Sequence, residues 1–259
     1  MKRDPGRNEK PQHFFPVPFQ ASLARHSYLW RVIRESLKRV PGLKSAYYLS
    51  IAVRQMVADE WRAPSSFDTV FSDTPDPWGS TTLREQERFA VTLSMLEASR
   101  IERFSAAVEL GCAEGAFTAR LAPLCDHLLA LDFSEVALER ARARLREYPG
   151  VTFRRWDMRN ETLSGTFDLV VAMGVITSLY RPGDVRRIAD SVVDAISPGG
   201  FLLFSDVRQS PVFEEAWWGR YMLRGGEQIR RLFTRDSRLE NLASADTSSH
   251  VFALYRRNQ

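Results

Sequence analysis

The sequence has few cysteines and no long apolar run, and both features limit the classes of protein to which it can belong. Only two of its 259 residues are cysteine, Cys112 and Cys125, which are too few for a disulfide framework and lack the paired spacing of a zinc site. No stretch approaches the roughly 18 consecutive apolar residues that span a bilayer, and the first ten residues lack the apolar segment of a secretory signal. We therefore expect reduced thiols, no stable membrane span and a cytoplasmic location.

The overall composition is that of a globular protein, but its charge is unevenly distributed. Hydrophobic residues make up 44% of the chain and charged residues 26%, so it can bury a core. Residues 1–66 hold 12 Lys or Arg against 5 acidic residues, a net charge of +7, whereas the remainder holds 24 against 27. Such a segment could attract nucleic acid, an anionic lipid surface or an acidic partner. We favour a solvated face, which needs no partner.

The amino-terminal quarter divides into two parts. Residues 1–20 contain four prolines and no periodic apolar pattern, which predicts a flexible arm. Within residues 21–66, apolar residues recur twice at helical spacing around Pro41-Gly42, which predicts a basic helical hairpin. The hairpin could cap the main domain, residues 67–259, or form a homodimer or partner-protein contact.

A connecting loop is predicted between Ala63 and Gly79, and beyond it helices alternate with apolar strands. The predicted strands are Ala106–Leu110, Leu128–Leu131, Val151–Arg155, Phe167–Met173, Phe201–Phe204, Leu239–Ala245 and His250–Tyr255. The predicted helices are Leu83–Glu97, Gly115–Leu124, Ser134–Glu147, Asp184–Ile196 and Glu227–Phe233. The last two strands share a short polar connection and must pair antiparallel. The expected fold is α/β: a doubly wound, seven-stranded, mostly parallel and Rossmann-like sheet with an antiparallel carboxy-terminal pair and an amino-terminal helical extension.

The strongest local signal is a strand that runs into a glycine-bearing loop and then a helix. Gly111 and Gly115 belong to this loop, and Asp132 follows 21 residues beyond Gly111 at the end of the second strand. A carboxylate there can accept hydrogen bonds from both ribose hydroxyls of an adenosine, and Asp157, after the third strand, could accept from the adenine amino group. The spacing predicts a nucleoside pocket at the carboxyl edge of the sheet. A dinucleotide is disfavoured, because Ala113 replaces the glycine that makes room for pyrophosphate.

The ordered set of motifs from Phe67 to Arg257 resembles the class I S-adenosylmethionine-dependent methyltransferases, and within them the nodulation-protein-S-like N-methyltransferases. The matching stretches are Asp76-Pro77-Trp78-Gly79 with Glu85-Gln86, Glu109-Leu110-Gly111-Cys112 with Gly115, Leu131-Asp132-Phe133-Ser134, Arg155-Trp156-Asp157-Met158, Phe167-Asp168-Leu169-Val170-Val171 and Ser197-Pro198-Gly199-Gly200. The resemblance implies an S-adenosylmethionine-dependent methyltransferase of this fold.

The resemblance also implies which residues hold the cofactor, S-adenosylmethionine. Glu109 and Gly111 would line its methionine end, Asp132 would hold the ribose, and Asp157 with Met158 would reach the adenine. The other predicted contacts are Cys112, Gly115, Phe133 and Met173. Simpler interpretations remain open: Glu109 could satisfy loop amides alone, Asp157 could cap the next turn, and Cys112 could be a small loop filler. No metal is expected.

The acceptor side departs from the resembling family. That family tends to place a Ser-Glu pair at Met173-Gly174, two tyrosines at Thr177-Ser178 and a tyrosine at Arg84. Loss of a carboxylate and of aromatic walls, with Arg88 and Arg181 nearby, predicts a pocket that suits an anion. The candidate catalytic residues are Arg84, Arg88, Thr177 and Ser178. The four histidines, His13, His26, His127 and His250, are expected at surface or packing positions.

Three functions remain open at this stage. The first is S-adenosylmethionine-dependent methylation, on nitrogen or oxygen, of a small, anionic intermediate of secondary or sugar metabolism. The second keeps the fold but performs another displacement, such as cyclisation or elimination of an anionic leaving group. The third is a non-catalytic partner subunit that interacts through the basic hairpin. Nucleic acid is not expected as a partner, because neither an Asn/Asp-Pro-Pro-aromatic loop nor an added RNA-binding module is present.

Overall fold

The structure is a computed structural model that describes residues 64–179, 182–208 and 225–259. The predicted arm, residues 1–20, and the predicted hairpin up to residue 63 lie outside the described residues, as does Arg181. In the part of the chain that the structure describes, no helix is both long and apolar enough to cross a membrane.

The described residues build one sheet flanked by helices. The strands are β1 Phe104–Leu110, β2 Cys125–Asp132, β3 Val151–Arg155, β4 Phe167–Met173, β5 Ile196–Val207, β6 Leu239–Asp246 and β7 His250–Arg257. The α-helices are α1 Pro64–Asp73, α2 Leu83–Ser94, α3 Thr118–Leu121, α4 Glu135–Arg144, α5 Pro182–Ala195 and α6 Gly226–Arg235. Short 3-10 helices cover Met95–Ser99, Ala122–Leu124 and Ile176–Ser178.

The strand order is β3-β2-β1-β4-β5-β7-β6, and it confirms the predicted fold class. Strands β1 to β5 pair in parallel, whereas β7 pairs antiparallel with both β5 and β6. The order reverses at β1, whose neighbours are β2 and β4. Loops that leave neighbouring strands on opposite sides of such a switch point diverge and open a crevice, which is where ligands of doubly wound sheets bind.

The loop predicted between Ala63 and Gly79 is wrong over its first part, because α1 occupies Pro64–Asp73. Proline at the first position of a helix loses no intrahelical hydrogen bond, so Pro64 begins this helix rather than interrupting the chain. Val70 and Phe71 are buried on one face of α1, and the Phe71 ring packs against Trp78 at a centroid distance of 6.1 Å. The available signal was the helical spacing of Phe67, Val70 and Phe71, and the flanking prolines obscured it.

The core lies on both faces of the sheet. Apolar side chains of β1, β4 and β5 alternate between two large clusters, one of which includes residues of α5 and α6 and the other residues of α2 and α3. Helix α4 packs close to the glycine loop: a Cβ on Gly115 would lie 2.6 Å from Leu145 Cδ1 and 3.1 Å from Ala141 Cβ. Gly115, whose φ is +74°, therefore permits the close approach of α4 that seats the loop at the edge of the sheet.

Candidate functional site

The candidate site lies where the carboxyl ends of β1, β2, β4 and β5 meet. Glu109 is the penultimate residue of β1, Asp132 ends β2, Met173 ends β4, and Asp206 is the penultimate residue of β5. Parallel strands bring these ends to one edge of the sheet, so residues far apart in sequence become neighbours.

Glu109 is buried, and one of its carboxylate oxygens, Oε2, has no hydrogen-bond partner. Burial, together with a smaller effect of the nearby Asp132 charge, raises the pKa of this carboxyl to about 7, although the Thr118 hydroxyl opposes the shift. The Thr118 hydroxyl itself makes no hydrogen bond of good geometry. An orphaned buried carboxylate oxygen is costly unless a ligand supplies the donor. Glu109 therefore suits an ammonium group such as that of a methionine moiety.

The loop after β1 brings its backbone close to the ligand crevice. Gly111, Ala113 and Gly115 all have positive φ, of 70°, 48° and 74°. A Cβ on Gly111 would lie 2.6 Å from Val175 Cγ2, so only glycine lets the β1 and β4 loops approach so closely. Ala113 adopts the left-handed conformation without being glycine, at a cost of about 1 kcal/mol, and its amide donates to Asp132 Oδ2 at 2.9 Å.

Asp132 is buried and has room for further donors. Its Oδ1 accepts from the Ser134 amide at 3.0 Å and its Oδ2 from the Ala113 amide, so each oxygen keeps one lone pair. Burial raises the pKa of Asp132 to about 6, although these amides oppose the shift. Two neighbouring acceptors at the end of β2 suit the two hydroxyls of a ribose, which agrees with the role predicted for this residue.

The Asp157 carboxylate has no unused hydrogen-bond acceptor position. Its Oδ1 accepts from the backbone N and Nε of Arg159, and its Oδ2 accepts from Arg159 Nη2 and Asn160 Nδ2 at 2.7 and 2.9 Å. Burial raises its pKa, but these hydrogen bonds outweigh burial and hold the pKa below the usual range. All four acceptor positions are filled by the following turn, so contact between the Asp157 carboxylate and adenine stays a prediction.

Met158 and the turn around it are held in place by a residue that the sequence did not indicate. Arg187 of α5 donates to the Met158 carbonyl oxygen at 2.7 Å and to the Arg159 carbonyl oxygen at 2.6 Å. The Met158 side chain is half-buried against the core. Arg187 thus fixes the backbone on which the predicted adenine contact depends.

Phe133 lies between two partners. The Phe67 ring meets it edge to face at a centroid distance of 4.6 Å, and the Arg159 guanidinium lies 5.5 Å from its centroid. Asp68, next to Phe67 on α1, accepts a hydrogen bond from Ser134 Oγ at 2.6 Å. Helix α1 therefore packs beside the predicted ribose position, although the sequence predicted a loop over this helix.

Cys112 lies in the loop after β1 and is buried. Its side chain is buried and packs with Ala130 and Leu138, and its amide donates to the Leu131 carbonyl oxygen at 2.9 Å. Burial raises the pKa of its thiol well above the usual value, so it is not a nucleophile. The interpretation of Cys112 as a small loop filler fits this packing.

The two candidate catalytic hydroxyls both donate within the loop region. Thr177 Oγ1 donates to Asp206 Oδ1 at 2.6 Å, and Ser178 Oγ donates to the Val175 carbonyl oxygen at 2.6 Å. Met173, at the end of β4, is half-buried. Catalytic roles for Thr177 and Ser178 stay predictions, because each hydroxyl proton is already used in this arrangement.

Arg88 lies at the acceptor side in a largely buried ion pair. Its Nη2 is 2.6 Å from Glu85 Oε2, and the two side chains are 13% and 15% exposed. A Cβ on Gly174 would lie 3.0 Å from Arg88 Nη1, so the guanidinium fills the space into which a side chain at position 174 would extend. Arg84 is exposed at the start of α2.

His250 lies near the same predicted acceptor side, whereas the sequence predicted only a surface or packing position for it. It is buried as expected of a packing residue, but the positive charges of Arg88 and Arg84 act on it. Burial and these charges lower its pKa to about 3, so the imidazole is neutral. The antiparallel β7 begins at the edge where β5 ends, which brings His250 to the site. The described residues contain no cluster of metal-ligating side chains.

Comparison with known proteins agrees with this geometry. The model of the nodulation protein S family matches residues 71–249. Nodulation protein S of Bradyrhizobium diazoefficiens is 34% identical over 135 residues, which cover 51% of this chain and 63% of that protein. Nodulation protein S of Rhizobium tropici is 25% identical over 225 residues, which cover 84% of each chain.

Solved structures give the same assignment. The crystal structure of N-methyltransferase NodS from Bradyrhizobium japonicum WM9, in complex with S-adenosyl-L-homocysteine, matches with a TM-score of 0.63 and 27% identity. The match covers 72% of this chain and 94% of that one. The structure of a putative methyltransferase from Pseudomonas syringae matches with a TM-score of 0.55 and 28% identity, over 68% of this chain and all of that one.

The switch-point crevice, its glycine loop and these matches define the class: a class I S-adenosylmethionine-dependent methyltransferase. Within that class, the chain belongs to the nodulation protein S family. The cofactor of this family is S-adenosylmethionine, and the orphaned Glu109 oxygen and the spare Asp132 lone pairs fit such a molecule.

Proposed function

We propose that this chain transfers a methyl group from S-adenosylmethionine to a nitrogen of a small-molecule acceptor. The observation that carries the proposal is that the glycine loop lies beside two buried carboxyls with unused acceptor capacity: Glu109, whose Oε2 has no hydrogen-bond partner, and Asp132, each oxygen of which accepts one hydrogen bond. A structural relative that is named an N-methyltransferase supports a nitrogen acceptor.

The cofactor, when bound, would supply a methyl group on a sulfonium: the acceptor nitrogen would bond to the methyl carbon in line as the S–C bond breaks, with S-adenosyl-L-homocysteine as the leaving group. Glu109 would accept hydrogen bonds from its ammonium group, and Asp132 would accept them from its ribose. Val175 and Met173 would form the wall between the methionine end and the acceptor. An in-line displacement needs alignment above all, with the nucleophile about 3 to 3.5 Å from the methyl carbon.

Two carboxylates lie near the loop that follows β4, the half-buried Glu85 and the fully buried Asp206. Glu85 is engaged with Arg88, and the Arg88 charge also lowers the pKa of Asp206 against the larger effect of burial. His250 is neutral, so it adds no positive charge that would repel an ammonium. This balance of charges is compatible with a nitrogen that arrives protonated and reacts neutral.

A second feature concerns the acceptor's own charge, and we propose that the acceptor carries an anionic group. The support is the replacement of a side chain at position 174 by the Arg88 guanidinium, with Arg84 close enough to act on the same His250. Because Arg88 also pairs with Glu85, an anion would share this guanidinium rather than meet an isolated charge.

Transfer of a labelled methyl group to matched acceptors tests both parts of the proposal. An amine should be methylated and its N-acetylated counterpart should not, and an amine that also carries a phosphate or carboxylate should give a higher kcat/KM than the same amine without it. No transfer to any amine, while S-adenosylmethionine binds normally, would refute the nitrogen acceptor.

The variant Arg88→Gln separates the anionic group from the methyl transfer itself. We expect it to lower kcat/KM for the anionic amine by at least tenfold and to leave the neutral amine and the cofactor Kd within threefold. Arg103→Gln is the matched control, because Arg103 is exposed and bonds Asp126 at the opposite edge of the sheet. Equal losses with both amines would contradict an anionic acceptor and leave the nitrogen acceptor standing.

A further inference from the structure

Two consecutive residues of β5 hold the two ends of the loop that follows β4. This acceptor-side loop comprises residues 174–178. At its start, the Gly174 amide donates to the Ser205 carbonyl oxygen at 2.7 Å. At its end, the Thr177 amide and hydroxyl donate to the two carboxylate oxygens of Asp206 at 3.2 and 2.6 Å.

Val175, which lies between these two attachments, contacts the glycine-bearing loop after β1. Val175 Cγ2 would lie 2.6 Å from a Cβ on Gly111, so the acceptor-side loop rests directly on the glycine of the β1 loop. A shift of the 3-10 helix Ile176–Ser178 would move Val175 and open or close this contact. The wall between the methionine end and the acceptor therefore depends on where Thr177 is held.

Asp206 is not a group that an acceptor can touch in this arrangement. It has no exposed surface, and its Oδ1 also accepts from the Val207 amide at 2.8 Å. Burial raises its pKa to about 6, because the hydrogen bonds from Thr177 and Val207 offset only part of the cost of burying the charge. A buried carboxylate whose hydrogen bonds hold one loop suits a positioning role.

We propose that Asp206 is a positioning residue that, through Thr177, sets the acceptor-side loop and hence the place of Val175 over Gly111. The inference rests on the proposed methyl transfer for its effect on rate, but the loop contact itself does not depend on that reaction. Misplacement of a reacting pair by about 1 Å can cost on the order of 100-fold in rate.

Five variants of the full chain test this role. Asp206→Asn and Thr177→Val should lower kcat with an amine acceptor by 10- to 100-fold, with the Kd for S-adenosylmethionine within threefold of wild type. Thr177→Ser keeps both donors and should retain kcat within threefold. Asp190→Asn is the matched control, since Asp190 is 70% exposed on α5 and bonds only weakly to Arg238. The double variant Asp206→Asn/Thr177→Val should have a kcat little lower than that of either single variant, because both substitutions disrupt the same contact.

Thermal unfolding separates positioning from a structural role. Thr177→Val removes the hydroxyl contact but keeps the carboxylate and its two amide donors, so its Tm should stay near that of wild type, whereas a merely structural hydrogen bond would lower Tm and cofactor affinity together with rate. The proposal would be overturned if kcat changed by less than twofold in both Asp206→Asn and Thr177→Val. It would also be overturned if the losses of kcat paralleled losses of Tm.

Hydrogen exchange provides a readout that does not require activity. In Asp206→Asn, amides of residues 175–178 should exchange at least tenfold faster, while those of β1 and β4 stay unchanged. If wild type methylates no amine, the proposed function fails, and the exchange result still decides the role of Asp206. Unchanged exchange in this loop would refute the positioning role even in an active enzyme.

Discussion

At the scale of single residues, two carboxylates of the site have similar positions at strand ends but different hydrogen-bond partners. Asp132 ends β2 and Asp157 follows β3, and the sequence predicted a cofactor role for both. Asp132 keeps a free lone pair on each oxygen, whereas Asp157 has all of its acceptor positions filled by Arg159 and Asn160. We therefore expect Asp132, rather than Asp157, to dominate cofactor affinity through a side chain.

Asp132→Asn tests this expectation. The amide group would turn one acceptor into a donor that faces the Ala113 or Ser134 amide, so S-adenosylmethionine should lose about 2 kcal/mol or more of binding free energy, roughly 30-fold in Kd. Calorimetric titration measures the change. Asp126→Asn, at the other end of β2, is the control and should bind as wild type. Equal affinity in the two variants would place the ribose elsewhere.

At the scale of elements, the loops after β1 and β4 form one unit because a glycine lets them touch. Gly111→Ala must place a Cβ at a φ of +70° and 2.6 Å from Val175 Cγ2. We expect a loss of about 2 to 4 kcal/mol in the free energy of unfolding, from left-handed strain and overpacking. Gly183→Ala, in α5 with no neighbouring atom within 4 Å, is the matched control and should be neutral or stabilising.

The added variant Gly111→Ala/Val175→Ala separates the two causes. Truncation of Val175 removes the clash but not the strain, so urea denaturation should show partial recovery relative to Gly111→Ala alone. Full recovery would mean that φ contributes nothing, and no recovery would mean that Val175 does not limit the space at Gly111.

At the scale of the whole molecule, the edge of the sheet concentrates buried charge, and this makes stability depend on pH. Burial raises the pKa of Glu109 to about 7 and the pKa values of Asp132 and Asp206 to about 6, so the native state binds these three protons more readily than the unfolded chain does. His250 acts in the opposite sense, because burial lowers its pKa to about 3 and the unfolded chain protonates it first.

The three carboxyls outweigh the single histidine, so proton binding stabilises the native state as pH falls from about 7 to 5. The free energy of unfolding of the cofactor-free protein should therefore rise by a few kcal/mol over this range. Below about pH 4 it should fall, because hydrogen-bonded Asp76, Asp157 and Asp236, whose pKa values are lowered, lose their charge. Chemical denaturation at a series of pH values measures the curve.

Cofactor affinity should follow the opposite course, because we propose that Glu109 and Asp132 bind the cofactor in their ionised forms. The Kd for S-adenosylmethionine should rise as pH falls from 7.5 to 5.5 while stability increases. In Glu109→Gln the rise in stability should be smaller, since one of the three titrating groups is gone. Stability and affinity that fall together with pH would contradict the assignment of buried, ionised carboxylates to the cofactor site.

The sequence by itself determined the strand and helix order, the antiparallel ending and the switch-point crevice, because apolar periodicity and turn residues act locally. Gly111 and Asp132 were also accessible, since each lies at a strand end. Only the tertiary structure decided the rest. Burial of apolar residues on α1 stabilises a proline-flanked segment as a helix beside the predicted ribose position. The antiparallel β7 brought His250 to the acceptor side, and the register of β5 brought Asp206 under Thr177. Such contacts join residues that are distant along the chain, so no local pattern records them.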